Sequence, residues 1–144
     1  MTMASGLYVP TWRDATDTSN IVLDMLLNTN KVDLYLDAKT PDFDADAAYS
    51  ATNEVATATG YTRDTMTVGG TPTYASTTGT LKYSWSTTVQ WTAATFTARG
   101  MIIHTATNNY PIVAVTFGAD YSCTNGTFTI TAHANGIFTI DLVP

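Results

Sequence analysis

The last third of the chain, residues 91–144, alternates apolar and polar side chains with the two-residue period of a β-strand. In the segment 127–132 the phenylalanine and the isoleucine point to one face and the threonines to the other. The dipeptide Asn135-Gly136 stands between two such segments, which is a strong short-range signal for a β-hairpin. Alternation resumes over residues 138–142, so we predict a closing hairpin over residues 126–143.

Further short segments of β character follow one another at intervals of about ten residues, separated by turn residues. Pro72 restricts its strand to a sheet edge, and Gly100, inside a long strand, indicates a bulge or a close backbone approach. Together these segments predict a mainly all-β fold, an antiparallel β-sandwich or barrel. The predicted strands are 31–37, 53–57, 65–68, 71–76, 81–86, 89–91, 95–105 and 111–117. The first of them alternates cleanly, which predicts a half-buried strand with Val32, Leu34 and Leu36 on one face and Asp33, Tyr35 and Asp37 on the other.

The N-terminal part of the chain has a different pattern. Apolar residues at helical spacing predict one short helix over residues 17–28, with Asp17, Thr18 or Ser19 as its N-cap. Residues 1–15 show no periodicity, and we predict an extended, irregular arm whose apolar side chains anchor it to a partner. The predicted anchors of this arm are Leu7, Tyr8, Val9 and Trp12.

Length and composition favour one domain, 1–144, and exclude several classes of partner. Threonine is the outlier, 30 of 144 residues, and it suits solvent-facing strands that carry little charge.

The net charge of −6 argues against a nucleic-acid partner, because affinity for nucleic acid depends on lysine and arginine. No segment has the pattern of a signal peptide or a membrane helix, so we expect a soluble protein made in the cytoplasm, with no membrane partner. The lone Cys123 excludes an internal disulfide.

An acidic loop carries Asp42, Asp44 and Asp46, which resemble the first ligands of a calcium-binding loop. The rest of that pattern is absent, because Ala47 stands where glycine is needed and Asn53 stands at the position of the bidentate glutamate. We therefore expect a solvated acidic loop, with an irregular cation site left open as the alternative.

Catalytic chemistry has no clear sequence signal. His104 or His133 could be combined with Asp120 or Asp141 into a hydrolase triad, but no nucleophile motif accompanies them. One cysteine and two histidines are too few for a structural zinc site. We expect His104 to be an ordinary half-buried or surface histidine, and we predict no catalytic residue, no cofactor, no metal site and no enzymatic activity.

Four segments, in order along the chain, resemble the motifs of one known family. The helix candidate is followed by Lys31-Val-Asp-Leu-Tyr-Leu-Asp37, which resembles the family's K-V-A-L strand. Pro41-Asp-Phe-Asp-Ala-Asp46 resembles its P-D-x-D loop, and Asn53-Glu-Val-Ala-Thr-Ala-Thr-Gly-Tyr-Thr62 resembles N-E-V-x-G-T-G-Y-T. Trp91-Thr-Ala-Ala-Thr-Phe-Thr-Ala-Arg-Gly100 resembles W-x-x-A-T-I-T-A-R-G. With these four segments the chain is similar to a family of small tailed-bacteriophage virion structural proteins, although Ala47-Ala48 replaces the family's histidine after the acidic loop.

The resemblance implies a virion structural protein, and most specifically a capsid decoration (cement) protein that bridges capsid subunits. The implied partners are the major capsid protein and further copies of this chain, with a homotrimer as one arrangement. The implied location is the virion, assembled in the host cytoplasm. The alternative is a tail, neck or fibre component that binds a host glycan through exposed aromatic side chains.

Overall fold

Within residues 2–17, 21–58 and 60–143, which the computed structural model describes, the regular structure consists of seven strands and one helix. The strands form two antiparallel sheets, in the order β1-β6-β5-β2 and β3-β4-β7. This arrangement confirms the predicted all-β class and is consistent with a sandwich. The elements are β1 (Gly6–Leu7), α1 (Val9–Thr16), β2 (Lys31–Tyr35), β3 (Pro72–Thr77), β4 (Thr80–Trp85), β5 (Val89–His104), β6 (Pro111–Ile130) and β7 (Phe138–Asp141).

The long antiparallel pair of β5 and β6 is the centre of the four-stranded sheet. The segments predicted as two strands on each side are continuous, because bulges absorb the irregular residues without ending either strand. The predicted irregularity at Gly100 is confirmed, since the register shifts between Ala98 and Gly100 while the additional residues lie on β6. The predicted close approach at Gly100 is confirmed as well, because an added Cβ would lie 2.6 Å from the carbonyl oxygen of Val115.

The predicted closing hairpin over residues 126–143 is wrong. A turn does form at Asn135-Gly136, with Gly136 at φ 89°, but β7 pairs with β4 and not with β6. The reason is tertiary: the Ile137 amide donates to the Tyr83 carbonyl at 2.8 Å, and the Phe138 ring stacks on the Tyr83 ring. The turn therefore moves the chain from one sheet to the other.

The predicted helix over residues 17–28 is also wrong for the residues that are described. Its cap candidates Thr18 and Ser19 lie outside them, and residues 21–30 form turns. The carboxylate of Asp24 accepts the amide of Leu26 at 2.9 Å, a local bond that competes with helical hydrogen bonding. Although the apolar spacing is helical, this segment folds as a loop.

The helix lies earlier, at Val9–Thr16, within the segment predicted to be an irregular arm. Pro10 is in its first turn, where a missing N–H costs nothing. Side chains then fix the helix to β6, because the Thr11 hydroxyl donates to the Pro111 carbonyl at 2.6 Å and the Trp12 indole donates to the Ile112 carbonyl at 3.1 Å. These long-range bonds have no counterpart in local sequence pattern.

Both faces of the four-stranded sheet are covered at the end where β2, the last residues of β5 and the first residues of β6 lie side by side. The larger core lies on one face, against the three-stranded sheet, and includes Leu34, Trp91 and Ile103. A smaller core on the other face is closed by the N-terminal segment and the acidic loop; it consists of Met3, Tyr8, Tyr35, Ile102 and Ala114, with Phe43 packed against it. Consequently β2 is buried on both faces, and the prediction of a half-buried strand is wrong on this point.

The outer edge of β2 is covered by irregular chain between β2 and β3. Val32 donates its amide to Met66 and Val55 donates to Leu34, each at 2.9 Å. The predicted strands 53–57 and 65–68 are therefore wrong as strands, since they form isolated bridges with β2 and no ladder. Pro72 begins β3, an edge strand, as predicted. No helix in the described ranges is long and apolar enough to span a membrane.

Candidate functional site

A buried histidine–carboxylate cluster lies at the end of β5, on the face of the four-stranded sheet that carries the smaller core. The strand pairing places Lys31 opposite His104, so Asp33 is the diagonal neighbour of His104 on the same face. The Nε2 atom of His104 lies 2.7 Å from Oδ2 of Asp33. Both residues are 0% exposed, so water does not weaken their interaction.

The other ring nitrogen of His104 determines the tautomer. Nδ1 lies 3.0 Å from the carbonyl oxygen of Thr105, which can only accept a hydrogen bond. Nδ1 therefore carries a proton and donates it to this carbonyl. In a neutral imidazole, Nε2 would then present a lone pair to the carboxylate of Asp33, and a proton or a metal cation is needed between them.

A second carboxylate approaches the same nitrogen from the surface. Oδ1 of Asp64 lies 3.5 Å from Nε2 of His104, and the Asp64 side chain is 46% exposed. Asp64 has a left-handed backbone, φ 55°, and its amide donates to Oδ1 of Asp33 at 2.8 Å. Asp33 thus holds Asp64 in place with one oxygen and faces His104 with the other.

A second polar network, around Glu54, adjoins this cluster. The hydroxyls of Tyr49 and Tyr61 both donate to the Glu54 carboxylate, and the Tyr61 hydroxyl also accepts the amide of Leu34 at 2.9 Å. Arg63 lies 3.8 Å from the same carboxylate. The Tyr49 ring also packs on the His104 ring, with centroids 4.7 Å apart, and so joins the two networks.

Burial governs the protonation of the Glu54 network. It raises the pKa of Glu54 above the ordinary value, and the two tyrosine hydroxyls, which favour the charged carboxylate, offset only part of this effect. Burial likewise raises the pKa of Tyr61, so both tyrosines remain neutral donors near neutral pH. The network supplies fixed hydrogen bonds and no obvious nucleophile.

The prediction that His104 is half-buried or at the surface is wrong, since it is fully buried. The triad drawn from Asp120 or Asp141 does not form around it, because its carboxylate neighbours are Asp33 and Asp64. Asp120 instead pairs with Arg99 in the strand irregularity. Sequence reasoning treated Asp33 as solvent-facing, and an aspartate flanked by the apolar residues of a strand was the available signal.

The acidic loop is organised by its own backbone. Asp42 accepts the amides of Asp44 and Ala45 at 3.1 and 3.0 Å, and Asp46 accepts the amide of Asp42 at 3.1 Å. The three carboxylates do not converge as Asp33, Asp64 and His104 do. The loop also places Phe43 on the Tyr8 ring, where it covers the smaller core.

The predicted partner anchors of the N-terminal segment contact the protein's own sheet. Tyr8 is 1% exposed, while Leu7 and Trp12 pack against the larger core. Val9 alone among the four is substantially exposed, at 48%. The prediction of an irregular arm over residues 1–15 is therefore wrong from residue 6 onward, because a strand and a helix form there and are bound to β6.

An exposed apolar segment lies elsewhere, in the loop before β2. Val22, Leu26 and Leu27 are exposed there, Val22 at 87%, whereas Met25 is the apolar residue of the loop that is buried. The loop lies beside the turn between β5 and β6, and Thr107 and Tyr110 of that turn line the depression between them. Clustered exposed apolar side chains are typical of interaction surfaces.

The outer edge of β6 is a second open surface. Among the described strands, β6 pairs on this side only with β1, at Val113 and Ala114, so residues 116–130 have no strand partner there. Phe117, Tyr121 and Cys123 line a shallow groove along this part of β6.

No protein-family model, curated protein or solved structure matches the chain.

Proposed function

We propose that this chain is a structural protein of a tailed-phage virion, and that it acts as a capsid decoration protein. The observation that supports this proposal most directly is the exposed apolar loop formed by Val22, Leu26 and Leu27, which lies beside the turn between β5 and β6. The protein that binds this loop is the major capsid protein. Modest apolar contacts of this kind become effective when capsid symmetry repeats them many times.

The rest of the surface suits the same role. Threonine-rich strands and a net charge of −6 provide a polar exterior that does not compete for the packaged DNA. The unpaired edge of β6 offers main-chain hydrogen bonds to a neighbouring subunit, with Asp120 the single charged residue between positions 116 and 130. Neither surface includes Asp33, Glu54, Asp64 or His104, the titratable members of the buried polar networks.

The position and copy number of the chain in purified virions test the proposal. A decoration protein is expected on the capsid at on the order of hundreds of copies, as symmetry-repeated binding requires. A few tens of copies at the neck, tail or fibre would instead support the alternative function and refute decoration. Quantitative mass spectrometry and a particle reconstruction give the two measurements.

The contribution of the apolar loop is tested by adding purified variants to particles that lack the protein. Leu26→Asp should reduce occupancy at a fixed protein concentration by about tenfold or more, since a buried leucine contributes roughly 1.5–3 kcal/mol. Leu142→Asp is the matched control, because Leu142 is equally exposed and lies in the C-terminal segment. Equal losses in the two variants would exclude the loop as the specific contact. Deleting the N-terminal segment is not a suitable test, because Met3 and Tyr8 belong to the core.

A further inference from the structure

We propose that His104, Asp33 and Asp64 bind a divalent transition-metal ion. This inference is independent of the proposed virion role. One ligand atom from each of the three residues lies within 4.8 Å of the other two, and His104 Nε2 is 2.7 Å from Asp33 Oδ2 and 3.5 Å from Asp64 Oδ1. In the part of the chain that the structure describes, no other set of three or more His, Cys, Asp or Glu ligand atoms converges in this way.

The hydrogen bonds behind these atoms orient them as metal ligands. His104 donates its Nδ1 proton to the Thr105 carbonyl, which directs the lone pair of Nε2 toward the carboxylates. Metal-binding histidines commonly use their second nitrogen in this way. Asp33 uses Oδ1 to accept the Asp64 amide, which leaves Oδ2 facing Nε2. Each ligand is thus positioned by an atom that does not bind the ion.

The charge of the cluster also favours a divalent ion. Within the described residues, the only positively charged or titratable nitrogen within 4.0 Å of Asp33 or Asp64 belongs to His104. A protonated His104 would compensate one of the two carboxylates, whereas a divalent ion with a neutral imidazole compensates both. Since Asp33 is completely buried, its charge needs a compensating cation at this position, whereas Asp64 remains partly hydrated.

The donor set indicates the class of ion. One imidazole nitrogen with two carboxylate oxygens suits zinc and neighbouring first-row ions, while calcium and magnesium prefer oxygen ligands throughout. Three protein ligands leave at least one position for water. The exposed side of Asp64 provides the route by which an ion enters.

Calorimetric titration of the full chain with Zn²⁺, after treatment with a chelator, tests the site. We expect saturable binding of one ion per chain, weakened at least about tenfold in Asp64→Asn, as loss of a charged ligand requires. Ca²⁺ should bind more weakly than Zn²⁺. Zn²⁺ should also raise the melting temperature of the wild-type protein and leave that of Asp64→Asn nearly unchanged.

Two control variants separate this site from adventitious binding. Asp44→Asn removes the same charge from an exposed aspartate, and His133→Gln removes the other, exposed histidine. Both should retain wild-type affinity. His104→Gln, if circular dichroism shows it folded, should lose binding.

Three outcomes would overturn the assignment. The first is no saturable binding to the wild-type protein, which would leave a buried histidine–aspartate hydrogen bond. The second is Zn²⁺ binding that persists in Asp64→Asn and is lost in His133→Gln. The third is Ca²⁺ binding as tight as that of Zn²⁺.

Discussion

Replacing Tyr61 by phenylalanine removes one hydroxyl and leaves the ring that packs on Trp91 and Phe96. This hydroxyl donates to Glu54 at 2.7 Å and accepts the amide of Leu34 at 2.9 Å. Without it, the edge of β2 has a buried amide with no partner, and Glu54 retains a single tyrosine donor. The change therefore tests whether this network contributes to the stability of the sheet edge.

The expected loss can be estimated from the two groups that lose a partner. A buried polar group that loses its hydrogen bond costs roughly 1–3 kcal/mol, and the cost is toward the upper end when the lost bond was made to a charged group. Two groups lose a bond here, so Tyr61→Phe should lower the free energy of unfolding by about 2–5 kcal/mol. For a chain of this size each kcal/mol corresponds to about 2–4 °C in melting temperature, so a decrease of about 10 °C is expected.

Tyr83→Phe is the matched control. Tyr83 is also completely buried, but its hydroxyl has no hydrogen-bond partner within the described residues. Removing that hydroxyl should change the free energy of unfolding by less than about 0.5 kcal/mol or increase it. Urea unfolding followed by tryptophan fluorescence, with a chelator present, measures both variants under the same conditions. Equal destabilisation by the two substitutions would refute the role assigned to the Tyr61 hydrogen bonds.

Three further predictions concern pH, close packing and the N-terminal segment. The pKa of Glu54 is raised in the folded state, so the folded protein binds a proton more tightly than the unfolded chain does. The stability should therefore increase as pH falls from 7 toward 4.5, the ordinary pKa of this carboxyl group. Glu54→Gln should remove this part of the pH dependence in chelator-treated protein. Gly100→Ala should cost about 1–3 kcal/mol in urea unfolding, since the new methyl group would collide with the Val115 carbonyl. Tyr8→Ala should cost about 3–5 kcal/mol, as expected for a buried aromatic, whereas a partner-binding arm would leave stability unchanged.

Strand periodicity predicted the positions of β2, β3 and β4 and the fold class, because alternation is a property of each strand alone. It did not predict which strands pair. The Asn135-Gly136 turn has ideal hairpin chemistry, yet the strand after it joins the other sheet, where Phe138 stacks on Tyr83. The choice of pairing partner for β7 therefore depends on a residue 55 positions away, which local sequence pattern cannot predict.

The position of the helix also could not be predicted from local sequence pattern. Residues 17–28 have helical spacing, but Asp24 bonds to the following backbone and the described part folds as a loop. Val9–Thr16 lacks a clear apolar stripe and is helical because Thr11 and Trp12 bond to β6, a hundred residues later. Long-range contacts therefore decide where the helix lies.

The candidate metal site was hidden for a related reason. Asp33 alternates with apolar residues in β2, and a strand with one polar face normally presents that face to water. Here Met3, Tyr8 and the acidic loop cover it, so Asp33 is buried beside His104, which is 71 positions later. Only the register of β2 against β5 makes them diagonal neighbours, and sequence does not state that register.

The cluster also explains how metal binding would affect the whole fold. Its three members lie on β2, on β5 and in the irregular chain that covers the edge of β2, so one ion would connect segments separated by 31 and 71 residues. The ligand geometry exists only in the folded sheet, so the ion is expected to leave when the chain unfolds. Its free energy of binding therefore adds to that of folding. The metal-free protein would keep two carboxylates beside one imidazole, so the edge of β2 should be the first part of the sheet to open when the ion is removed. Hydrogen exchange of the Val32 and Leu34 amides, with and without Zn²⁺, measures this directly. Equal protection in the two states would mean that the ion does not stabilise the edge.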